Sequence, residues 1–475
     1  MSADIIFFQQ YAVPYFGVLS LAAYLKNRGI KADVLIESLE EDFISSLRKL
    51  NPKLIGLSVL SPEHKWLIDK SSFIRKAFPE VPIIVGGTHA MFYPEEILSE
   101  TSVDLVCHSE GEDVLFNVIR ELERSNPDWS SMEGLAYKDA GGTVHINERA
   151  RLVPLNDEII EDRAIYFERY PQLAYDTVHR FFSSRGCPYK CAFCYNAKIH
   201  DIFRGKGNYI RQKTVNNFME EIVSQCARYP ITSIFFYDDL FTFNKKWLKE
   251  FLQRYKEKVG IPFMCTTRAN LLNEETVNML ANAGCRTASY GIETGDYKIR
   301  KDILKKNVTD EEIVRCGQLL KKYGIKSQTT NMFCLPEETL EAAYKTIELN
   351  IRACTDYAFS ALFLPFPKTE IAEYCIQRGF VKHDYSLKDI PYSFLTASVL
   401  KIPDKDGIRN IHRLAYFSIK WPWFYRLTKK LVRLHYLDFF FHLIFVVSNL
   451  FRHKEERGIS LWHAIRYAWR LRSSL

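Results

Sequence analysis

The sequence predicts an α/β protein built from an N-terminal doubly wound, Rossmann-like domain, a partial (βα)6 barrel of TIM type and a helical C-terminal region. Three observations carry this. Residues 1–127 alternate short apolar runs with amphipathic stretches. From residue 179 the alternation resumes at wider spacing, and a basic, aromatic region follows it. The expected boundaries are 1–127, a connector at 128–178, the barrel at 179–385 and the last region at 386–475.

In the first domain "DIIFFQQ", "KADVLIES", "LIGLSVLS", "VPIIVGG" and "VDLVCHSEG" read as buried strands bounded by turn signals. Between them "GVLSLAAYLKNRG" reads as a helix stopped by Gly29. Ligands in such sheets sit outside the carboxyl ends of the strands, here loops 9–17, 58–66, 86–96 and 108–113. Residues 128–178 have weak periodicity and read as a small hairpin-bearing connector. Strands are then expected at 179–185, 231–238, 261–267, 287–293, 326–334 and 357–366, with helices such as "TVNNFMEEIVSQCARY" and "EEIVRCGQLLKKYG" between them. Six βα units make an open, partial barrel, whose working face is at the strand carboxyl ends.

The net charge of +7 is unevenly spread: residues 401–475 hold 15 Lys/Arg against 5 Asp/Glu, a local +10, so residues 1–400 sum to −3. "MSADIIFFQQ" lacks a basic leader and carries Asp4, so no signal peptide is expected. Eleven cysteines, an odd number, then read as reduced, ligating or catalytic in a cytoplasmic chain. The most apolar stretch, "YLDFFFHLIFVVSNLF" (436–451), is interrupted by Asp438 and His442 and falls short of the roughly 18–20 residues of a membrane span. It reads either as a helix capping the domains or as an amphipathic helix on an anionic membrane, helped by Lys429, Lys430, Arg433 and Arg452. No nucleic-acid recognition motif occurs, and no such partner is expected.

"RGCPYKCAFCYNAK" (185–198) puts Cys187, Cys191 and Cys194 directly after the first barrel strand. Three thiolates in eight positions suit an inorganic centre. A structural zinc would need a fourth ligand, for which His200 is the nearby candidate, and an ordinary iron–sulfur cluster takes four cysteines. Three leave one iron of a [4Fe-4S] cluster open to an outside ligand.

"GCPYKCAFC", with Phe193 before the last cysteine, resembles the signature of the radical S-adenosylmethionine enzymes. The resemblance runs through roughly residues 180–380. It implies that the open iron chelates the amino and carboxylate groups of S-adenosylmethionine, and that one-electron cleavage releases a 5′-deoxyadenosyl radical. "IFFYDDLFTFN" (234–244) matches the second-strand segment, with Asp238 or Asp239 accepting from the cofactor's amino group, or Asp239 serving as a helix N-cap. "TTRAN" (266–270) offers Arg268 to the cofactor carboxylate or to a structural ion pair. In "YGIETGD" (290–296) Glu293 faces the same cavity, and "MFCLPEET" (332–339) and "LPFPKTEI" (364–371) resemble the strand ends bordering the adenosine. Cys334 departs from the glycine common at that place. It reads as a catalytic, radical-quenching thiol or as a buried space-filler.

The front half resembles the cobalamin-binding subclass of that family through "FGVLSLAAYLKNRG" (16–29), "IGLSVLS" (55–61), "IIVGGTHAMFYPEEIL" (83–98) and "VDLVCHSEGEDVL" (103–115). The implied cobalamin contacts are Tyr15, Gly17, Ser58, His64, Gly86, Gly87, Glu110 and Gly111. The residues by themselves support only a ligand at the strand ends, where Gly86 and Gly87 let backbone approach a flat molecule. The DxHxxG spacing that supplies an axial histidine in methionine-synthase-type domains is absent, leaving His64 and His89 as ligands or as solvated loop residues.

The resemblance implies a cobalamin-dependent radical enzyme that methylates an unactivated carbon of a small-molecule or lipid-like substrate. Ring formation or rearrangement with the same cofactors is the alternative, and a non-catalytic cobalamin- or cluster-responsive binding protein is a remoter one. An external flavodoxin- or ferredoxin-like electron donor is implied, and peripheral contact with the inner face of the membrane through the C-terminal region is a further expectation.

Overall fold

The computed structural model describes residues 3–457 apart from 156–159, 162, 392, 394, 396, 435 and 436. Residues 458–475 of the expected helical region lie outside the described residues. The chain divides into two compact units. Unit 1 comprises Met1–Thr177, Ser184–Gly186 and Ile199–Ile231, and unit 2 comprises Val178–Ser183, Cys187–Lys198 and Thr232–Leu475.

Unit 1 holds β1 (Ile5–Gln9), β2 (Ala32–Ile36), β3 (Leu54–Ser58), β4 (Ile83–Gly86), β5 (Leu105–Cys107), β6 (Leu135–Lys138) and β7 (Val144–Ile146) in one sheet of order β2-β1-β3-β4-β5-β6-β7. β1 to β5 pair in parallel, which buries both faces and accounts for their unbroken apolar runs. The hairpin expected in the connector is β6–β7, which adds antiparallel to β5. Strand order reverses between β1 and β3, and that crevice is where ligands enter sheets of this topology. The core gathers Ile5, Phe7, Val34, Leu54 and Ile84 from the strands with Leu19 and Val118 from the helices Phe16–Lys26 and Gly111–Glu121. A short pair, β8 (Val178–Phe181) excluded, is formed here by β9 (Ser184–Arg185) and β10 (Arg211–Gln212).

Unit 2 holds β8, β11 (Ser233–Phe236), β12 (Phe263–Thr266), β13 (Cys285–Glu293), β14 (Lys326–Phe333) and β15 (Tyr357–Leu362), all parallel and adjacent in chain order. All six expected strands are present, in a six-stranded sheet consistent with a partial barrel. The α-helix after each of β11 to β15 starts on a side-chain cap: Asn244, Asn273, Thr309, Thr339 and Thr369 each accept from a backbone N–H. The caps fix where each strand-to-helix loop ends, and those loops form the working face. The register of β13 against β14 breaks between Gly291 and Glu293, where Glu293 adopts a left-handed φ of 67°. Such a bulge re-aims a side chain. The helix Lys405–Lys420 packs on β15 and on the helix Leu340–Arg352, burying Ile408, Ile411, Leu414 and Ala415.

Candidate functional site

In unit 2 the three cysteines lie on the loop leaving β8, with Cys194 directly before the helix Tyr195–Ile202. Backbone bonds brace the loop: Ala192 N–H donates to Leu304 O (2.9 Å), Ile371 N–H to Ala192 O (3.3 Å) and Cys194 N–H to Cys191 O (3.0 Å). Burial pushes the Cys187 thiol up to about 11 and Cys194 up to about 12; Asp239 and the neighbouring sulfurs act in the same direction. The thiols are thus near enough to feel one another. Among the described residues, however, no three His, Cys, Asp or Glu groups gather as a single metal ion requires. His200, the candidate fourth zinc ligand, belongs to unit 1, where its ring lies edge-on to Tyr209 at 5.2 Å. A four-iron cluster gives each thiolate its own iron and needs no such convergence, so the loop fits it. Phe193 packs against the apolar core beside this loop.

Arg268 is 6% exposed and follows β12. Its Nη1 lies 3.7 Å from Cys191 Sγ, its guanidinium carbon stands 3.8 Å over the Tyr189 ring, and it donates to Asn270 Oδ1 (3.0 Å) and Asn307 O (3.3 Å). Among the described residues it has no carboxylate partner, so the ion-pair reading of the sequence is not realised. A buried cation without a counter-charge is costly. A ligand carboxylate would relieve it, and the amino-acid end of S-adenosylmethionine carries one.

The two aspartates separate clearly. Asp238 is 1% exposed, and its carboxylate accepts from Ser183 N–H (3.0 Å) and Ser183 Oγ–H (2.7 Å) at the root of the cysteine loop. Asp239 is not an N-cap, because the following helix Lys245–Lys258 is capped by Asn244. It is accessible to solvent yet crowded by protein; that crowding raises its pKa, against the lowering effect of the Asn196 amide 2.8 Å away. Glu293 pairs with Lys306 at 2.7 Å, both nearly buried. A Cβ on Gly291 would fall 1.8 Å from Glu293 Oε1 and 2.4 Å from Lys306 Nζ, so any side chain there would push this pair out of its present place over the strand.

Cys334 is fully buried in the apolar cluster, with φ +60°, and burial lifts its thiol to about 12. Left-handed backbone is natural for glycine and costs other residues about 1–2 kcal/mol, a physical reason for glycine at such a place.

In unit 1 the loops after β1 and β3 are tied together. Tyr15 Oη–H donates to Glu63 Oε1 (3.1 Å), Leu60 N–H to Glu63 Oε2 (2.7 Å) and Tyr15 N–H to Tyr166 Oη (3.1 Å). Tyr166 Oη–H in turn donates to Gln9 Oε1 (2.5 Å), and burial raises the pKa of both Tyr15 and Glu63. No atom stands within 4 Å of where a Cβ would begin on Gly17 or Gly86, and Leu60 is 52% exposed at the end of β3. Ser58, the last residue of β3, pairs with Gly86. Gly87 differs: at φ +93° its Cβ would meet Val59 O at 2.7 Å, so it serves the close approach of two strand ends. Open backbone and an exposed apolar side chain at the switch point fit a large flat cofactor such as cobalamin.

Four of the expected residues are otherwise engaged. His64 and His89 are buried rather than solvated: Glu100 Oε2, the two rings and Ser61 Oγ form a chain of contacts at 3.2, 2.9 and 3.2 Å. Both ring nitrogens of His64 are used. Glu110 holds Arg211 with both oxygens (2.7 and 2.6 Å), pairs with Arg185 at 3.2 Å and accepts from Val153 N–H. Gly111 sits where a Cβ would be 3.0 Å from Leu21, which serves helix packing.

Sequence reasoning missed Lys306, Tyr189, Asn196, Ser183 and Glu63. The segment after the π-helical turn Ile299–Ile303 supplies Leu304 O, Lys306 and Asn307 O to the site. Its "LKKNVT" shows no more than a solvated charge pair ahead of a helix cap; only the π-turn, itself invisible in sequence, marks it.

Comparison with known proteins agrees with this geometry. The model of the radical SAM superfamily matches residues 181–349, and that of the B12 binding domain matches residues 10–119. An uncharacterised methyltransferase of Pyrococcus horikoshii is 25% identical over 465 residues, covering 95% of this chain and 93% of that protein. An anaerobic magnesium-protoporphyrin IX monomethyl ester cyclase of Rubrivivax gelatinosus is 26% identical over 370 residues, 74% of this chain and 65% of that one. Among solved structures, the radical S-adenosylmethionine methyltransferase TsrM from Kitasatospora setae, with cobalamin and a [4Fe-4S] cluster bound, shares the fold at a TM-score of 0.67. It is 17% identical, over 80% of this chain and 75% of that one. With both domain models matched in this order, the chain is a cobalamin-binding-domain-containing radical S-adenosylmethionine enzyme whose cofactors are a [4Fe-4S] cluster, S-adenosylmethionine and cobalamin.

Proposed function

We propose that this enzyme methylates an unactivated carbon of a small-molecule or lipid-like substrate. The observation that carries the reading is the buried Arg268 cation, without a carboxylate partner among the described residues and 3.7 Å from Cys191 on the three-cysteine loop. Bound together, the three cofactors supply hydrogen abstraction from carbon and a transferable methyl group. Cys187, Cys191 and Cys194 hold the cluster. Arg268 binds the cofactor carboxylate and Asp239 accepts from its amino group, while Asp238 holds Ser183 and so positions the loop. Glu293, kept in place by Lys306, borders the same site. In unit 1, Tyr15, Gly17, Ser58 and Gly86 bound the cobalamin crevice, while the rings of His64 and His89 are held by each other, by Glu100 and by Ser61. Cys334 belongs to the packing, so Cys334→Ala should retain turnover. The enzyme works in the cytoplasm with a flavodoxin- or ferredoxin-like donor, in contact with the inner face of the membrane.

Ring formation or rearrangement is the second reading, favoured by the 26% identity to a cyclase. The two are separated by anaerobic purification with cobalamin supplied, cluster reconstitution and assay with methyl-labelled S-adenosylmethionine. Methyl transfer yields a labelled product with S-adenosylhomocysteine and 5′-deoxyadenosine together. Rearrangement yields 5′-deoxyadenosine without S-adenosylhomocysteine. A protein that retains neither iron nor cobalamin overturns both.

A further inference from the structure

The C-terminal helices Pro422–Leu431 and Asp438–Arg457 both pack on the helix Lys405–Lys420. Asp438–Arg457 turns Phe441, Phe445 and Ser448 inward and leaves Phe439, Phe440, Leu443 and Val446 outward, at 73, 58, 51 and 43% exposure. Between 439 and 450 this helix has no Lys, Arg, Asp or Glu. The solvent face of an ordinary surface helix is charged over such a length. The neighbouring helix exposes Trp423 and Leu427 at 65 and 41%. Arg426 and Lys430 lie on the same stripe, at the i+3 and i+7 positions from Trp423, and Arg433 follows; all three are exposed.

The chain leading into and through the first of these helices is basic. From residue 407 to 437 there are seven Lys or Arg and no Asp or Glu. Arg409 and Arg413 are taken by Asp438, Lys420 by Glu455 and Lys429 by Glu348. Arg426, Lys430 and Arg433 have no ion-pair partner among the described residues. Exposed aromatic and aliphatic groups beside unpaired cations complement an anionic lipid leaflet, with the rings entering the acyl boundary and the cations meeting headgroup phosphates. Among the described residues no helix is long and apolar enough to cross a membrane.

We infer that the outward faces of these two helices form an anionic-lipid docking surface, on which the enzyme rests without spanning the bilayer. This names the partner behind the membrane contact proposed above, and it is independent of the catalytic reading because it needs neither cluster nor cobalamin.

The test is co-sedimentation of the full chain with vesicles of phosphatidylcholine alone or mixed with phosphatidylglycerol, at low and high salt. The expected result is binding to the mixed vesicles that weakens with salt. Phe439→Asp/Phe440→Asp and, separately, Arg426→Glu/Lys430→Glu should each weaken it at least tenfold with unchanged melting temperature. The second variant touches only exposed cations and keeps the test valid should the first misfold. Absence of vesicle binding overturns the inference, as does binding untouched by either variant, which would place the contact elsewhere on the chain. A lipid-free dimer that Phe439→Asp/Phe440→Asp returns to monomer also overturns it, because a second copy would then cover the face.

Discussion

Asp238 and Asp239 are adjacent, chemically identical and indistinguishable in sequence, yet their surroundings assign them different work. Replacing Asp238 by Ala strands the buried Ser183 N–H, at a cost of about 1–3 kcal/mol. Its unfolding midpoint should fall accordingly in a denaturant titration. Asp239→Asn should leave that midpoint in place and weaken S-adenosylmethionine binding, measured by calorimetry on the reconstituted protein. Glu338 offers a second residue-scale prediction. It is fully buried, its Oε2 accepts from Leu335 N–H at 3.0 Å, its Oε1 has no partner among the described residues, and burial raises its pKa from 4.5 to about 8. Between those values the folded chain keeps the proton and the unfolded chain loses it. Stability therefore falls as pH rises from 4.5 to 8, by an amount on the order of a few kcal/mol. Glu338→Gln should flatten that slope; an unchanged slope would show that other groups set it.

At the scale of elements, the strands and helices were readable because apolar periodicity and turn residues mark them, whereas the Asn and Thr caps that end the strand-to-helix loops were found only in the structure. Close approaches of backbone were not readable. Gly317 lies in the helix Asp310–Lys322, where a Cβ would stand 1.8 Å from Ala353 O, and helix propensity alone would favour alanine there. Gly317→Ala should destabilise by at least the 1–3 kcal/mol typical of overpacking, roughly, as read from chemical denaturation. In unit 1 the short β9–β10 pair leads into a buried charge cluster. Lys213 meets Glu221 at 2.6 Å and Glu161 at 3.6 Å, and Lys213→Met removes the ion-pair partner that these two buried carboxylates share. The expected loss is about 3–5 kcal/mol. The lysine itself looks like any surface lysine in the sequence, because folding brings its partners to it: Glu221 from the helix Val215–Arg228 and Glu161 from earlier in the chain.

For the molecule as a whole, the residues that match the B12 binding domain, 10–119, all lie in unit 1, so cobalamin is expected to act on the stability of that unit. Cobalamin at about one hundred times its dissociation constant adds roughly 2.7 kcal/mol to the state that binds it. Calorimetry of the apo chain should show one unfolding component moving up with added cobalamin and another that does not. A single transition moving as one would show that the units unfold together.

The sequence by itself determined the α/β character of both halves, the places of their strands along the chain and the three-cysteine loop, because periodicity, turn residues and ligand spacing are local properties. Only the tertiary structure decided which charged groups are already paired. It engaged His64, His89 and Glu110 internally, left Arg268 with no counter-charge among the described residues, and brought Lys306 onto Glu293. The reason is physical: a buried charge or ring nitrogen takes its role from whatever faces it, and those partners lie up to about a hundred residues away along the chain.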